Sequence, residues 1–258
     1  LKDEIALINS IIDILVLNKV PVVFKGASVL KSVIRDNSLD TDRITQDLDM
    51  DWINPISNDD LNLKVTNILN KLSVPNMSLE RYRDNDPLLK RSAGYRLFSD
   101  SKELISFDIS IRNNPYTSTY TTLSGTKFVG ASREKMYADK LSVLSSKLVF
   151  RRTKDIYDLY VLSLLGDYTL PNIIEVLKYN ERTLCEFEEF LRRKEDLEHA
   201  YNKLEGISNK PDFETVYSRI LDFCLPFIIK TAYTCSGIWL PNDGLWHNNP
   251  TISTNPYE

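Results

Sequence analysis

The sequence predicts an α/β fold in which a sheet-bearing domain is followed by a helical one. Three observations carry that reading. An apolar, β-branched run from Val20 to Phe24 turns through the small residues Gly26, Ala27 and Ser28 into Val29, Leu30, Val33 and Ile34 at helical spacing, which makes a strand–turn–helix unit. Ser78 to Tyr82, Gly94 to Phe98 and Leu104 to Ile111 read as further strands separated by polar loops. From Ala131 onward the apolar periodicity is that of helices.

Taken in order, Glu4 to Leu17 carries Ile5, Ile8, Ile11, Ile12 and Leu15, the pattern of an amphipathic helix that packs on the sheet begun at Val20. After the strand–turn–helix unit, the chain re-enters as Asp47-Leu48-Asp49, beside Met50 and Trp52. Asn54-Pro55 breaks that strand, and Asp59 or Asp60 is expected to cap a helix through about Leu72, with Leu61, Val65, Ile68 and Leu69 inward. Asp84, Asn85, Asp86 and Pro87 mark a turn cluster within the loop Arg83 to Lys90. In the helical half, Tyr137, Leu141, Leu144 and Leu148 form an apolar stripe. Arg133, Lys140 and Lys147 recur every seven residues, which predicts one basic flank. Arg151 with Asp155, and Lys154 with Asp158, have the spacing of helical ion pairs. Pro171 opens a helix containing Ile174 and Leu177, and Glu186 to Glu205 reads as one amphipathic helix with Phe187, Phe190, Leu197 and Leu204 inward. Phe213 to Tyr233 reads as an apolar helix interrupted or kinked at Pro226. Pro241 to Glu258 is rich in Asn and Pro without periodicity, so an irregular tail is expected.

At 258 residues the chain is long enough for two subdomains. A hydrophobic share of 42% and a charged share of 26% are ordinary for a soluble protein. The net charge of −4 excludes overall basicity as a basis for nucleic-acid binding, so any such contact needs a local patch. Cys185, Cys224 and Cys235 have no metal-ligand spacing and, being odd in number, close no disulfide framework. His199 has no second ligand nearby, so zinc is not indicated. No apolar run reaches the ~18 residues of a membrane span and no signal peptide is visible, so a soluble, cytoplasmic protein is expected.

The chemistry concentrates between Val22 and Trp52. A strand that turns through small residues into a helix presents free backbone N–H groups at the positive end of the helix dipole, an anion site suited to phosphates. Asp47 and Asp49, two apart on a strand, share a face. Paired carboxylates suit a hard divalent cation that also takes substrate phosphates. Cradle and carboxylates together point to phosphoryl or nucleotidyl transfer. A calcium-loop reading of Asp47, Asp49 and Asp51 fails, because Trp52 and Asn58 stand where that loop requires Gly and Glu. Further on, Ser106, Asp108 and Ser110 share one face of a strand, opposite to Ile105 and Phe107. Spacing alone leaves Asp108 open between a solvated edge residue and a member of the site.

Lys25-Gly26-Ala27-Ser28, followed by Arg43-x-Thr45-x-Asp47-Leu48-Asp49, resembles the polymerase-β-like nucleotidyltransferases, and within them the AbiEii-type toxins of abortive-infection and toxin–antitoxin systems. Lys140, Arg152 and Lys154-Asp155-x-x-Asp158-Leu159 reproduce the order of that family's later motif, so the resemblance spans Lys25 to about Tyr160. Ala27 departs from the family's usual second glycine and restricts φ there. The resemblance implies a small mixed-sheet nucleotidyltransferase domain over 1–130, an α-helical bundle over 131–240 and a tail over 241–258. It implies transfer of a nucleoside monophosphate from an NTP, with Mg²⁺ or Mn²⁺ held by Asp47, Asp49 and Asp108, the catalytic carboxylates. Lys25, Gly26, Ala27, Ser28, Lys140 and Asp158 become the expected nucleotide-binding residues. Arg133, Lys147, Arg151 and Arg152 become the expected acceptor-binding residues, for an RNA whose leading candidate is the 3′ end of tRNA. A separately encoded antitoxin is the expected protein partner. The alternatives are a non-catalytic binding module, against which all three carboxylate positions are filled, and a DxD glycosyltransferase, which leaves the Lys25–Ser28 and Lys140–Leu159 motifs unexplained.

Overall fold

The computed structural model describes residues 2–147 and 149–248, and the chain divides into two compact units, Leu1–Ser132 and Arg133–Glu258. In the first, α1 (Lys2–Leu17) precedes β1 (Val22–Lys25), and Gly26 leads into α2 (Ala27–Asp36). The two-residue strand β2 (Asp42–Arg43) and β3 (Asp47–Trp52) come next, then α3 (Asn58–Leu69). Five strands complete the unit: β4 (Met77–Arg83), β5 (Ala93–Ser99), β6 (Lys102–Ile111), β7 (Thr117–Thr121) and β8 (Lys127–Ala131). Seven strands form one mixed sheet in the order β4-β5-β6-β3-β1-β8-β7. The sequence pattern does not announce β7 or β8, because Thr117–Thr121 is polar and Lys127–Ala131 is short; β8 is recruited by parallel pairing with β1 at Phe24 and Gly130.

Register decides what each face of this sheet carries. β3 runs antiparallel to β1 and parallel to β6, which puts Phe24, Met50 and Ile109 in one cross-strand row and Lys25, Asp49 and Asp108 in the next. Neighbouring rows face opposite sides. Phe24, Leu48, Met50, Phe107 and Ile109 are all buried, each large apolar side chain contributing about 1.5–3 kcal/mol. A one-residue slip of β3 would turn Leu48 and Met50 out and drive carboxylates into the core. α2 packs on β1, β3 and β7, while α1 contacts β8 and α3.

Some boundaries differ from the sequence reading, for local reasons. The first strand is Val22–Lys25 rather than Val20–Phe24. Ser57, not Asp59 or Asp60, caps α3: its Oγ accepts from the Asp60 amide at 3.1 Å and donates to Asp60 Oδ2 at 2.7 Å, and the helix ends at Leu69.

The second unit holds α4 (Arg133–Leu144), α5 (Thr153–Ser163), α6 (Leu170–Tyr179), α7 (Glu188–Arg192) and α8 (Lys194–Asn202). It continues with the short β9 (Ile207–Ser208), α9 (Phe213–Ile228) and the strands β10 (Gly237–Leu240) and β11 (Leu245–Asn248). Tyr137 stacks on Phe223 with centroids 4.3 Å apart, and Tyr168 and Trp239 pack on the same phenylalanine. The expected helix over 186–205 is two helices, because Arg193 leaves helical geometry at φ −117 and ψ 46. α9 runs through Pro226 to Ile228, and Tyr233 belongs to a separate 3₁₀ turn. α6 contains Ile174 and Leu177 as expected, and buries Leu170, Ile173, Val176 and Leu177. The start of the expected tail forms instead an antiparallel hairpin, in which Trp246 Nε1 donates to the Phe223 carbonyl at 2.9 Å. Two indoles and a phenylalanine supply the apolar contact that Asn- and Pro-rich composition conceals. Residues 249–258 and Leu148 of the expected α4 stripe lie outside the described residues. No helix among the described residues is long and apolar enough to cross a membrane.

Candidate active site

The open face of the first unit's sheet carries the acids that the sequence singled out. Asp49 and Asp108 are direct Cα partners across β3 and β6, and Lys25 is the partner of Asp49 on β1. Two rows away on the same face, Asp47 lies opposite Ser106, whose Oγ donates to Asp47 Oδ1 at 2.6 Å. Asp47 is exposed, while Asp49 and Asp108 are half-buried, as groups that must meet a solute need to be. Parallel pairing of β3 with β6 sets Asp108 on an inner strand beside Asp49, on the face that Asp47 shares, and not at a sheet edge.

Asp51, the third aspartate in the same phase, has a different environment. It is wholly buried and accepts from Lys25 Nζ at 2.6 Å, Arg112 Nε at 2.8 Å and Asn114 Nδ2 at 3.2 Å. A carboxylate removed from water needs such charged and polar donors. Lys25 also donates to Ser110 Oγ at 3.2 Å, so its ammonium is engaged inside the protein and ties β1 to β3 and β6. The sequence reading weighed Asp51 only as a calcium ligand and missed this role. Alternation put it on the right face, but its depth depends on residues contributed by other strands.

Between Lys25 and α2 the backbone turns at Gly26, with φ 69 and ψ −146, a conformation close to glycine's own territory. A Cβ there would also meet the Asp49 carboxylate, so the glycine lets the turn approach the acid. Ala27 is the first residue of α2 and is not among the positive-φ residues, so a second glycine is not required by the turn. Ser28 is buried and its Oγ donates to the Lys25 carbonyl at 3.1 Å, bracing the turn. The Gly26–Ser28 turn thus sets the N-terminus of α2 beside Asp49, where its dipole favours an anion.

Asp108 has neighbours that the sequence did not reveal. Arg83 Nη2 pairs with Asp108 Oδ1, and Ser92 Oγ donates to the same oxygen at 3.2 Å. Both bonds fall on Oδ1, on the side of the carboxylate toward β4 and β5. The sequence pattern places Arg83 at the start of a loop, yet it closes β4 opposite Gly94.

The second unit holds the remaining candidates, and their arrangement differs from the predicted flank. Lys140 is buried, and its ammonium donates to Asp155 Oδ1 at 2.7 Å and Asp158 Oδ2 at 2.6 Å. Burial pulls the Lys140 pKa down, but Asp158 and Asp155 together outweigh it and hold the group above its ordinary value. Lys147 lies past the end of α4 and is exposed, and the Arg133 guanidinium sits 5.6 Å from the Tyr168 ring centroid. The seven-residue recurrence therefore makes no continuous basic flank, because α5 packs on α4 and encloses its middle member. The predicted pairing of Arg151 with Asp155 also fails: α5 begins at Thr153, and Asp155 pairs with Arg152 at 2.8 Å and with Lys140. Asp158 likewise takes Lys140, not Lys154.

Among the described residues, no three His, Cys, Asp or Glu side chains form a ready-made metal cage. Magnesium is more often held by one or two carboxylates together with substrate phosphates than by an all-protein cage. Asp47 and Asp49 on one face, with Asp108 opposite Asp49, are the hard oxygen donors that such shared coordination requires.

The family model described as "Nucleotidyl transferase AbiEii toxin, Type IV TA system" matches residues 15–226. The crystal structure of JHP933 from Helicobacter pylori is 18% identical, with a TM-score of 0.53 over 88% of this chain and 93% of that one. The structure of a candidate nucleotidyltransferase from H. pylori is also 18% identical, with a TM-score of 0.56 over 90% of this chain and 95% of that one. At such identity the likeness is one of fold. No curated protein sequence matches the chain.

Proposed function

The chain belongs to the AbiEii nucleotidyl transferase toxin family, and on that premise we propose that this nucleotidyltransferase moves a nucleoside monophosphate from an NTP to the 3′ end of an RNA, tRNA foremost. The observation that carries the reading is the row Lys25–Asp49–Asp108 across three strands, with the Gly26 turn against Asp49. Asp47, Asp49 and Asp108 would hold Mg²⁺ or Mn²⁺, which when bound offsets charge on the phosphate oxygens. Backbone N–H groups at Gly26, Ala27 and Ser28 receive the β- and γ-phosphates. The acceptor hydroxyl oxygen forms a bond to the α-phosphorus as the bond to the α–β bridging oxygen breaks, and pyrophosphate leaves into the cradle. Asp108 takes the hydroxyl proton on Oδ2, the oxygen turned away from Arg83 and Ser92. The Arg83–Asp108 pair is partly exposed on both sides, so its contribution of about 0–1 kcal/mol is readily given up to a substrate.

Lys140 and Asp158 act in this reading as a buried brace for the second unit and not through direct contact with the triphosphate. Arg133, Lys147, Arg151 and Arg152 supply the positive charge for the acceptor in a chain whose net charge is −4. The family's description supports a toxin restrained by a separately encoded antitoxin, acting in the cytoplasm where NTP and RNA are found. Incubation of the protein and Mg²⁺ with total RNA and each α-labelled NTP in turn is expected to label RNA, and Asp49→Asn to abolish the label. No labelling with any NTP would refute the proposal.

A further inference from the structure

Tyr82 occupies a place that a regular strand would not give it. The β4–β5 register passes from Arg81 opposite Tyr95 to Arg83 opposite Gly94, so Tyr82 is the extra residue of a β-bulge. A bulge re-aims side chains that an unbroken strand would alternate. Tyr82 and Arg83 both reach the face that carries Asp108. Arg83 bonds that carboxylate. The Tyr82 ring lies across Gly94, the Cα partner of Asp108, and a Cβ at Gly94 would stand 2.8 Å from Cε2 and Oη of the ring. Arg83 and Arg96 place their guanidinium carbons 5.4 and 4.6 Å from the ring centroid. Arg96 also meets Glu103 at 3.6 Å, in a pair that is exposed on both sides. Burial first, and the nearby Asp108 second, hold the phenol above its ordinary pKa, so it stays neutral through the physiological range. Even so, Tyr82 is 39% exposed.

We propose that Tyr82, flanked by Arg96, is the stacking platform for the 3′-terminal nucleotide of the RNA acceptor, an assignment that rests on the reading of the protein as an RNA nucleotidyltransferase. An exposed aromatic ring beside arginine is the combination that single-stranded nucleic acid uses, the ring for a base and the guanidinium for a phosphate. Position selects the acceptor over the NTP. The phosphate cradle lies on β1, the carboxylates on β3 and β6, and Gly94 with its tyrosine on β5 and β4. At about 4.8 Å between strands, cradle and platform are roughly 14 Å apart on opposite sides of the acids. Phosphoryl transfer keeps the attacking and leaving oxygens roughly in line. With pyrophosphate leaving toward β1, the attacking nucleotide arrives from the side of β5 and β4.

The test uses the full chain and a short RNA whose 3′-terminal base is 2-aminopurine, a fluorophore quenched on stacking. Wild-type protein is expected to quench it, Tyr82→Trp to keep the quenching and Tyr82→Ala to lose it, with unchanged far-UV circular dichroism. The acceptor KM in Tyr82→Ala should rise roughly ten- to a hundredfold, the scale of one base stack, while the KM for NTP stays level. Undiminished quenching by Tyr82→Ala, or a rise confined to the KM for NTP, would overturn the platform. Quenching by a wild-type protein that transfers no nucleotide would reject the transferase reading and keep the platform. Transfer by Tyr82→Ala with an unchanged acceptor KM would reject the platform alone.

Discussion

Gly26 lies so close to Asp49 that a Cβ on the glycine would stand 2.7 Å from Asp49 Oδ2. The Gly26 turn and the carboxylate strand therefore meet at contact distance, and neither can be altered without moving the other. Gly26→Ala is expected to cost about 1–3 kcal/mol, because φ 69 with ψ −146 is strained for any residue with a side chain. Activity should fall further than stability, by about a hundredfold, since the displaced carboxylate leaves its reacting geometry. A thermal melt and a transfer assay on the same preparation check both, and full activity in Gly26→Ala would refute the contact.

Three aspartates alternate along one face of β3, and they should respond differently to substitution. Asp47→Asn and Asp49→Asn are expected to abolish transfer with Tm unchanged or raised, because neutralising one of two adjacent acids relieves repulsion. Asp51→Ala should instead lose about 3–5 kcal/mol, since Lys25, Arg112 and Asn114 all donate to that buried carboxylate. Equal melting temperatures for the Asp49→Asn and Asp51→Ala proteins would overturn this division of labour.

Lys140 provides a test by pH. Lys140→Met leaves Asp155 and Asp158 buried with their shared cation removed, at an expected cost of about 3–5 kcal/mol near neutral pH. Its pKa is raised in the folded protein, burial lowering it and the two carboxylates raising it by more. The stabilisation is therefore fully present below the unfolded value of about 10.4 and is lost as pH rises through the folded value. The Tm difference between wild type and Lys140→Met should stay constant from about pH 6 to 9 and shrink above about 10.5. A difference that grew with alkalinity would rule out the buried brace.

The three cysteines should divide by accessibility. Burial pushes the Cys224 thiol up to about 12, while Cys185 and Cys235 are exposed. A thiol reagent such as 5,5′-dithiobis(2-nitrobenzoate) is expected to titrate two thiols in the native protein at pH 8 and the third only after unfolding, because the thiolate is the reactive form. Rapid reaction of all three in the folded state would contradict the burial of Cys224 under Tyr137.

The sequence by itself determined the periodic features. Alternation put Asp47, Asp49 and Asp51 on one strand face and Leu48 and Met50 on the other, and the run from Phe24 through Gly26 to Val29 announced a strand turning into a helix. These follow from backbone geometry, which repeats every two residues in a strand and every 3.6 in a helix whatever surrounds it. Only the tertiary structure decided which members of a period stand open to solvent and which are buried and braced. Asp51 became a structural acid because Arg112 and Asn114 reach it from farther along the chain. Lys140 left its expected basic flank because α5 closes over the middle of α4. Asp108 came to stand beside Asp49 through the parallel pairing of β3 with β6, and Tyr82 came to lie across Gly94 through a bulge that breaks alternation. Burial, pairing partner and local register are set by residues distant in sequence, whose free energies of packing no local pattern contains.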